Sequence, residues 1–485
     1  MYNSPIRFVI YLVILLYIDG AYANTVFISE SSLKAYSKKT PSSDKADATL
    51  ISAKIAFSEY QDNFSLGAFA SSRYATTKEK AFISIAPVYS PQSNYEIGFK
   101  KRFALGLEAK TAINSDTKEF VFSGSKDERT STYLSMKLSV DLWKNILGKL
   151  DKANLDSRSI LLKQGEIKKK ISNHNFLITL RQLFWQMVAN QNAQNISESL
   201  LKSAKKQVRD ANSRRKNSAA DKGEVARYKA LASSRLSSLT YLKFQREKLT
   251  RSLKRLIPEL TDKAIVIKDY DLDRVVGKVM SCINTIKSSE KIPYEHTLYD
   301  ELITEIKGFH QKQLKITNTY DDIDLKLSTT LSSKGVESNK SESFDETFNG
   351  KRTGFEVGVM LTIPLGFSSK TEEQKIKANR LKASYESREI IQELASTHKF
   401  IFRSITHLLS TVEAQADSRK NLKIRITDMK RKYHQGRITV SEYINDQDSL
   451  FQTELQILES KTMILGVLFN YLGIFTETPC EFNRI

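Results

Sequence analysis

Apolar residues recur along this chain with two different periods. Leu177, Leu180, Phe184 and Met187 fall three or four residues apart, as do Ile401, Ile405, Leu408 and Val412, the spacing that gathers side chains on one face of a helix. Around them, from Asp151 to Lys216, there is no proline and only Gly165, and from Ser368 to Gln435 there is neither proline nor glycine. Lys, Glu, Ala, Leu, Gln and Arg, all strong helix formers, fill both tracts. The pattern predicts long helices over 150–216 and 368–435. At 1.5 Å per residue each reaches about 100 Å, beyond the diameter of a compact domain, so each must pack in a coiled-coil-like bundle.

Both tracts end at similar punctuation. Arg214, Arg215 and Lys216 in one, and Lys432 in the other, suit the negative end of the helix dipole. Asn217 or Gly436 then stands where a C-cap takes the left-handed conformation. A new helix opens at Glu224 or Glu442, which predicts shorter helices over 224–257 and 442–473. Long helix, tight turn and shorter helix thus occur twice, as in an internally duplicated chain.

The second period is two. Phe355, Val357, Val359, Leu361 and Ile363 alternate with Glu356, Gly358, Met360 and Thr362, and comparable runs predict strands over 63–75, 131–142, 322–333 and 353–364. Stretches of about ten alternating residues mark membrane β-barrel strands, one face toward lipid and one toward water. Four strands cannot close a barrel, and open edges are prohibitive in lipid, so several copies must share one. Between the first two runs, Ile97, Phe99, Leu107 and Ile113 alternate with Glu96, Gly98, Glu108 and Lys110. That stretch is either an external hairpin or added barrel strands.

Arg7, the apolar run Phe8 to Ile18 and Ala21-Tyr22-Ala23 have the layout of a secretory signal peptide over 1–23. The run is about half of the roughly 20 residues that a membrane-spanning helix needs. No later stretch is expected to approach that length, so the mature chain is either soluble outside the cytoplasm or crosses a membrane as strands.

Composition narrows the chemistry. Among 485 residues, 75 Lys+Arg against 55 Asp+Glu give a net charge of +20. The two signs are interleaved along the helices, which favours a solvated helical face over a nucleic-acid patch. Cys282 and Cys480 form at most one bridge and cannot build a disulfide framework or a four-ligand zinc site. The six histidines show no metal-ligand pair at helical spacing, and there is neither a phosphate-cradling glycine loop nor a G-x-S-x-G elbow. The expectation is therefore no enzyme, no cofactor and no metal site.

Three motifs carry a family resemblance. Phe355-Glu356-Val357-Gly358-Val359-Met360-Leu361-Thr362-Ile363-Pro364-Leu365-Gly366 resembles the strand-to-helix crossing of the TolC-like outer membrane efflux proteins. Tyr433-His434-Gln435-Gly436-Arg437-Ile438-Thr439 with Glu442-Tyr443-Ile444 resembles that family's turn at the closed periplasmic end. The stretch Glu224-Val225-Ala226 through Ala230 looks like the matching turn, with Asn217 replacing the usual glycine. The likeness covers nearly all of the chain after the predicted signal.

The resemblance implies a mainly α fold with a membrane β-barrel: a long α-helical coiled-coil barrel plus four strands per protomer of a trimeric twelve-stranded barrel, internally duplicated. The first repeat would be 24–258, an equatorial connector 259–294, the second repeat 295–475 and an equatorial tail 476–485. The chain would be a homotrimeric outer membrane channel-tunnel with a periplasmic helical domain. It would serve efflux or type I secretion, opened by a periplasmic membrane-fusion adaptor and an inner-membrane efflux pump or ABC transporter. Tyr433, Glu442 and Asn445 would line the pore constriction, although Glu442 reads equally as a helix N-terminal acid. Asn217, Ser218, Ala219, Gly436, Arg437, Ile438 and Thr439 would contact the adaptor. The competing reading is a secreted periplasmic coiled-coil adaptor or scaffold without a barrel; a passive porin is disfavoured by the helix content.

Overall fold

The computed structural model describes residues 25–38, 40–77, 88–122, 125–217, 220–267, 270–278, 297–320, 323–363 and 368–474. The predicted signal peptide, Ser218, Ala219, Cys282, Cys480, Pro364-Leu365-Gly366, part of the expected connector and the expected tail lie outside the described residues. In chain order the elements are β1 (Thr25–Ile28), α1 (Glu30–Tyr36), α2 (Pro41–Asp62), β2 (Leu66–Ala75), β3 (Val88–Phe103), β4 (Leu107–Phe122), β5 (Ser125–Asp141), α3 (Lys149–Lys216), α4 (Lys222–Leu256), β6 (Ala264–Ile267), α5 (Leu298–Tyr320), β7 (Asp324–Glu337), α6 (Lys340–Phe348), β8 (Thr353–Thr362), α7 (Ser368–His434) and α8 (Val440–Ile474). The chain divides into two compact units, one of residues 50–166 and 303–388, the other of 1–49, 167–302 and 389–485.

The first unit is built on an antiparallel sheet of six strands in the order β2-β3-β4-β5-β7-β8. This corrects the expectation of four strands per chain. Period-two patterning identifies a strand but not its neighbours, and the stretch that could be hairpin or wall forms β3 and β4, hydrogen-bonded between β2 and β5, with Gln92 to Lys101 of β3 paired to β2 and all of β4 paired to β5. The register puts Ala70, Ile97, Ile113 and Leu134 in one row, and Leu331 opposite both Met136 and Phe355. All of these lie on the same apolar face, because residues two apart on a strand share a face. Ile97 is 62% exposed and Phe355 72%. The opposite face carries Asn94, Glu96, Lys110, Asn114 and Asp116, with Gly98, Ala112 and Asn114 buried. Such exposure fits a sheet curled toward its polar side. The helix α6, absent from the sequence reading, sits over the far end of β5 and β7, where Ser343 Oγ accepts from Thr132 N and donates to Gly335 O.

At the other end of the sheet the chain turns from β5 into α3 through an elbow that depends on two glycines. Gly148 has φ +73° and Gly106 φ +76°. A Cβ on Gly148 would lie 1.7 Å from Ala104 O, and one on Gly106 would lie 2.4 Å from Asn145 O. The turn between β3 and β4 is therefore docked directly on the elbow. Asn145 Oδ1 accepts from Leu150 N and Asp151 N, capping α3, while its amide donates to Asp151 Oδ2 at 2.7 Å. The other Asp151 oxygen takes Arg102 of β3 at 2.7 Å and the Tyr60 hydroxyl at 3.4 Å. Burial and the Asp151 carboxylate hold the Tyr60 phenol above its usual range.

The second unit is helical around one core. Ile178, Phe184, Trp185 and Val188 of α3, Ile401 and Ile405 of α7, and Ile464, Leu465, Leu468, Phe469 and Leu472 of α8 pack together, with Ile28 and Ile267 closing one side. Burying each of the largest of these side chains contributes about 1.5–3 kcal/mol. Trp185 meets Phe184 and Tyr270 edge-on, with ring centroids 5.4 and 5.5 Å apart. The strands β1 and β6 run parallel as a two-stranded sheet, a pairing that four-residue segments cannot announce by periodicity. The α8 helix is long and apolar enough to cross a membrane, contrary to the expectation that no later stretch would be. Its buried residues supply much of this core.

Candidate functional site

The turn joining α7 to α8 is closed by standard end chemistry. Gly436 has φ +71° with open space around its Cα. Its N–H donates to Tyr433 O, and Arg437 N–H to Lys432 O, both at 3.0 Å. This is the double bond of a Schellman cap. Thr439 then opens α8: its hydroxyl accepts from Glu442 N at 3.4 Å, and its own N–H donates to Glu442 Oε2 at 3.3 Å. The pair is a capping box. Glu442 thus has a local task at the helix start, while its side chain stays exposed, as does Asn445 one turn on.

The turn joining α3 to α4 behaves differently from the sequence expectation. Asn217 does not take a positive φ; among the described residues Leu147 is the sole non-glycine that does. Asn217 N–H instead donates to Ser213 O and Arg214 O at 3.3 and 3.2 Å, prolonging the helix. Asp221 caps α4 by accepting from Glu224 N at 2.5 Å.

The two turns are held together by a polar clasp. The Tyr433 hydroxyl donates to Glu224 Oε1, Arg214 Nη2 donates to the same oxygen, and Arg214 Nη2 also lies 2.5 Å from the Tyr433 hydroxyl. The Tyr433 ring stacks on Tyr443, with centroids 5.8 Å apart and planes 9° from parallel. Beneath lie Ala204, Ala211, Val225, Tyr228, Leu231 and Val440, a small apolar core linking all four helix ends. Burial, and then the bond to Glu224, raises the Tyr433 phenol above its usual range. The Tyr228 phenol is raised by burial and by its bond to Tyr433, and Tyr443 by burial.

Of the residues expected at a constriction, Tyr433 is at the centre of this cluster, whereas Glu442 and Asn445 stand on the exposed side of α8. Gly436, Arg437, Ile438 and Thr439 form the α7–α8 turn itself, and Asn217 ends α3. Sequence reasoning saw Arg214 and Glu224 only as helix-end charges. Their pairing with Tyr433, some two hundred residues distant in the chain, has no local signature. It likewise missed that the two acids following Asn445 are paired: Asp446 accepts from Arg425 Nε at 2.8 Å, and Asp448 accepts from Arg235, whose guanidinium lies 4.5 Å over Phe451.

No protein-family model matches this chain, and no curated protein matches it. Solved structures do. The Campylobacter jejuni CmeC outer membrane channel superposes with a TM-score of 0.65 at 13% identity, over 91% of this chain and 84% of that one. The outer membrane protein VceC from Vibrio cholerae gives 0.62 at 13% identity, over 91% and 95%. The open state of the Neisseria gonorrhoeae MtrE outer membrane channel gives 0.62 at 11% identity, over 92% and 88%. The likeness is one of fold along almost the whole chain.

Proposed function

We propose that this chain, which shares its fold with outer membrane channels, works as an outer membrane efflux channel. Three copies place their sheets side by side to close a barrel in the outer membrane, and their helices form a duct below it in the periplasm. The duct is passive and non-enzymatic, so its energy comes from an inner-membrane efflux pump or ABC transporter reached through a periplasmic adaptor. The structural repeats 24–258 and 295–475, strands and helices together, supply equivalent parts of the wall, with 259–294 and 476–485 as a belt around it.

The observation that carries this reading is the sheet. One face presents large apolar side chains to the outside, Ile97, Phe99, Leu331, Phe355 and Val359 among them, while the other is polar and more enclosed. In water that arrangement is costly; in a bilayer it is the wall of an aqueous pore. The exposed β2 and β8 edges must be paired in lipid, which other copies of the chain accomplish. A coiled-coil adaptor without a barrel has no use for either feature.

At the periplasmic end the clasp of Arg214, Glu224 and Tyr433 keeps the helix ends together, and Tyr433 with Glu442 and Asn445 narrows the duct. The turn residues Asn217, Ser218, Ala219, Gly436, Arg437, Ile438 and Thr439 are offered to the adaptor. Fractionation tests the reading: the protein should float with outer membranes, resist salt extraction, come out with detergent and crosslink to a trimer. Recovery as a water-soluble monomer would sink it.

A further inference from the structure

The polar face of the sheet contains a row that its own stability does not explain. Lys100 of β3 stands directly opposite Lys110 of β4, Lys110 opposite Lys137 of β5, and Lys137 opposite Thr330 of β7, beyond which the row ends at Glu356 of β8. Like charges directly across a ladder repel and destabilise it. The row is only partly relieved, by Glu96 accepting from Lys110 Nζ at 2.8 Å and by the Phe69 ring 4.7 Å beneath that ammonium. Two of the three lysines belong to the β3–β4 hairpin. That hairpin is as integral to the wall as its neighbours: each strand has 16 residues, more than the roughly 9–11 that cross a bilayer. It shares the apolar row through Ile97 and Ile113, and the Cβ of a side chain at Gly98 would lie 2.3 Å from Thr111 O. At its lower end it is pinned to the elbow by Arg102 and Gly106.

We propose that the hairpin is transmembrane wall and that Lys100, Lys110 and Lys137 are one third of a basic ring in the lumen that selects anionic solutes. The inference rests on the channel reading above. Six strands from each of three copies make eighteen, in the range where barrels of about 16–18 strands leave a hydrated channel. With three lysines against Glu356 in each copy's row, the ring keeps a positive excess, and such an excess between low-dielectric walls concentrates anions.

The test places single cysteines in a Cys282→Ser, Cys480→Ser chain in outer membrane vesicles and compares anionic sulfonate with cationic trimethylammonium methanethiosulfonates. Asn94→Cys, on the polar face, should react, and Ile97→Cys, on the apolar face, should be protected. At Thr330→Cys the anionic reagent should be favoured about tenfold relative to a free thiol. Adding Lys100→Gln and Lys137→Gln should bring that preference back to within about twofold of the free thiol. Equal labelling of Asn94→Cys and Ile97→Cys would mean an external hairpin and overturn the proposal, as would a preference untouched by the lysine changes. Recovery of the protein outside the membrane would instead overturn the channel reading.

Discussion

Arg102 Nη2 lies 2.7 Å from Asp151 Oδ1, and this ion pair fastens the third strand to the first turn of a 68-residue helix. Asp151 is 1% exposed, so removing its cation leaves a buried charge held by Asn145 and, more weakly, Tyr60. Arg102→Met should cost about 3 kcal/mol. Urea unfolding in detergent measures it, and the Arg102→Met, Asp151→Asn double variant should be more stable than Arg102→Met alone.

The clasp should loosen in alkali. Tyr433, Tyr228 and Tyr443 all have phenol pKa values raised in the folded chain. A raised pKa means that the folded state holds its proton longer than the unfolded one. The stabilisation is therefore full below about pH 10, the ordinary tyrosine value, and declines as pH climbs from there toward the folded values. Tyrosinate absorbance should show these groups ionising later than free tyrosine. Tyr433→Phe, which keeps the ring stack and loses the bonds to Glu224, Arg214 and Tyr228, should raise the open probability of the proposed channel at neutral pH.

Glu442 has two separable roles. Glu442→Gln keeps a capping-box partner for Thr439 and removes the charge, so thermal stability should change by less than about 0.5 kcal/mol. If the side chain also lines the constriction, cation selectivity of the closed channel should fall in the same variant. Thr439→Ala should do the reverse, costing about 1 kcal/mol without touching selectivity. Paired melting and reversal-potential measurements separate the two.

Two glycines with left-handed backbones should answer differently to the same change. Gly148→Ala adds both strain and a collision with Ala104 O, and should cost about 3 kcal/mol or more. Gly350, with φ +65° and nothing within 4 Å of a built Cβ, carries the strain alone, so Gly350→Ala should cost about 1–2 kcal/mol. Similar losses at both sites would show that the elbow does not pack as described.

What could be read from the chain beforehand was whatever depends on near neighbours. The long helices Lys149–Lys216 and Ser368–His434 follow from tracts without breakers, and the Gly436 cap from one glycine after a run of cations. What escaped depends on distant partners. Alternation marked Ile97 and Ile113 as strand residues, but only the register shows them between β2 and β5. Asn217 was expected to reverse the chain because asparagine tolerates the left-handed region, yet its N–H is better served inside the helix. The clasp was invisible because Arg214 and Tyr433 meet only when two separate helix pairs dock.

The small β1–β6 sheet carries a consequence for the order of biogenesis. Thr25 pairs with Ala264 and Ile28 with Ile267, so a polypeptide delivered from its beginning keeps that first ribbon idle until the matching segment, far behind it, has emerged. Joining such remote stretches is slow. During that delay Phe27 and Ile28 are open to any holdase, and their stitch to Val266 and Ile267 is among the last to close.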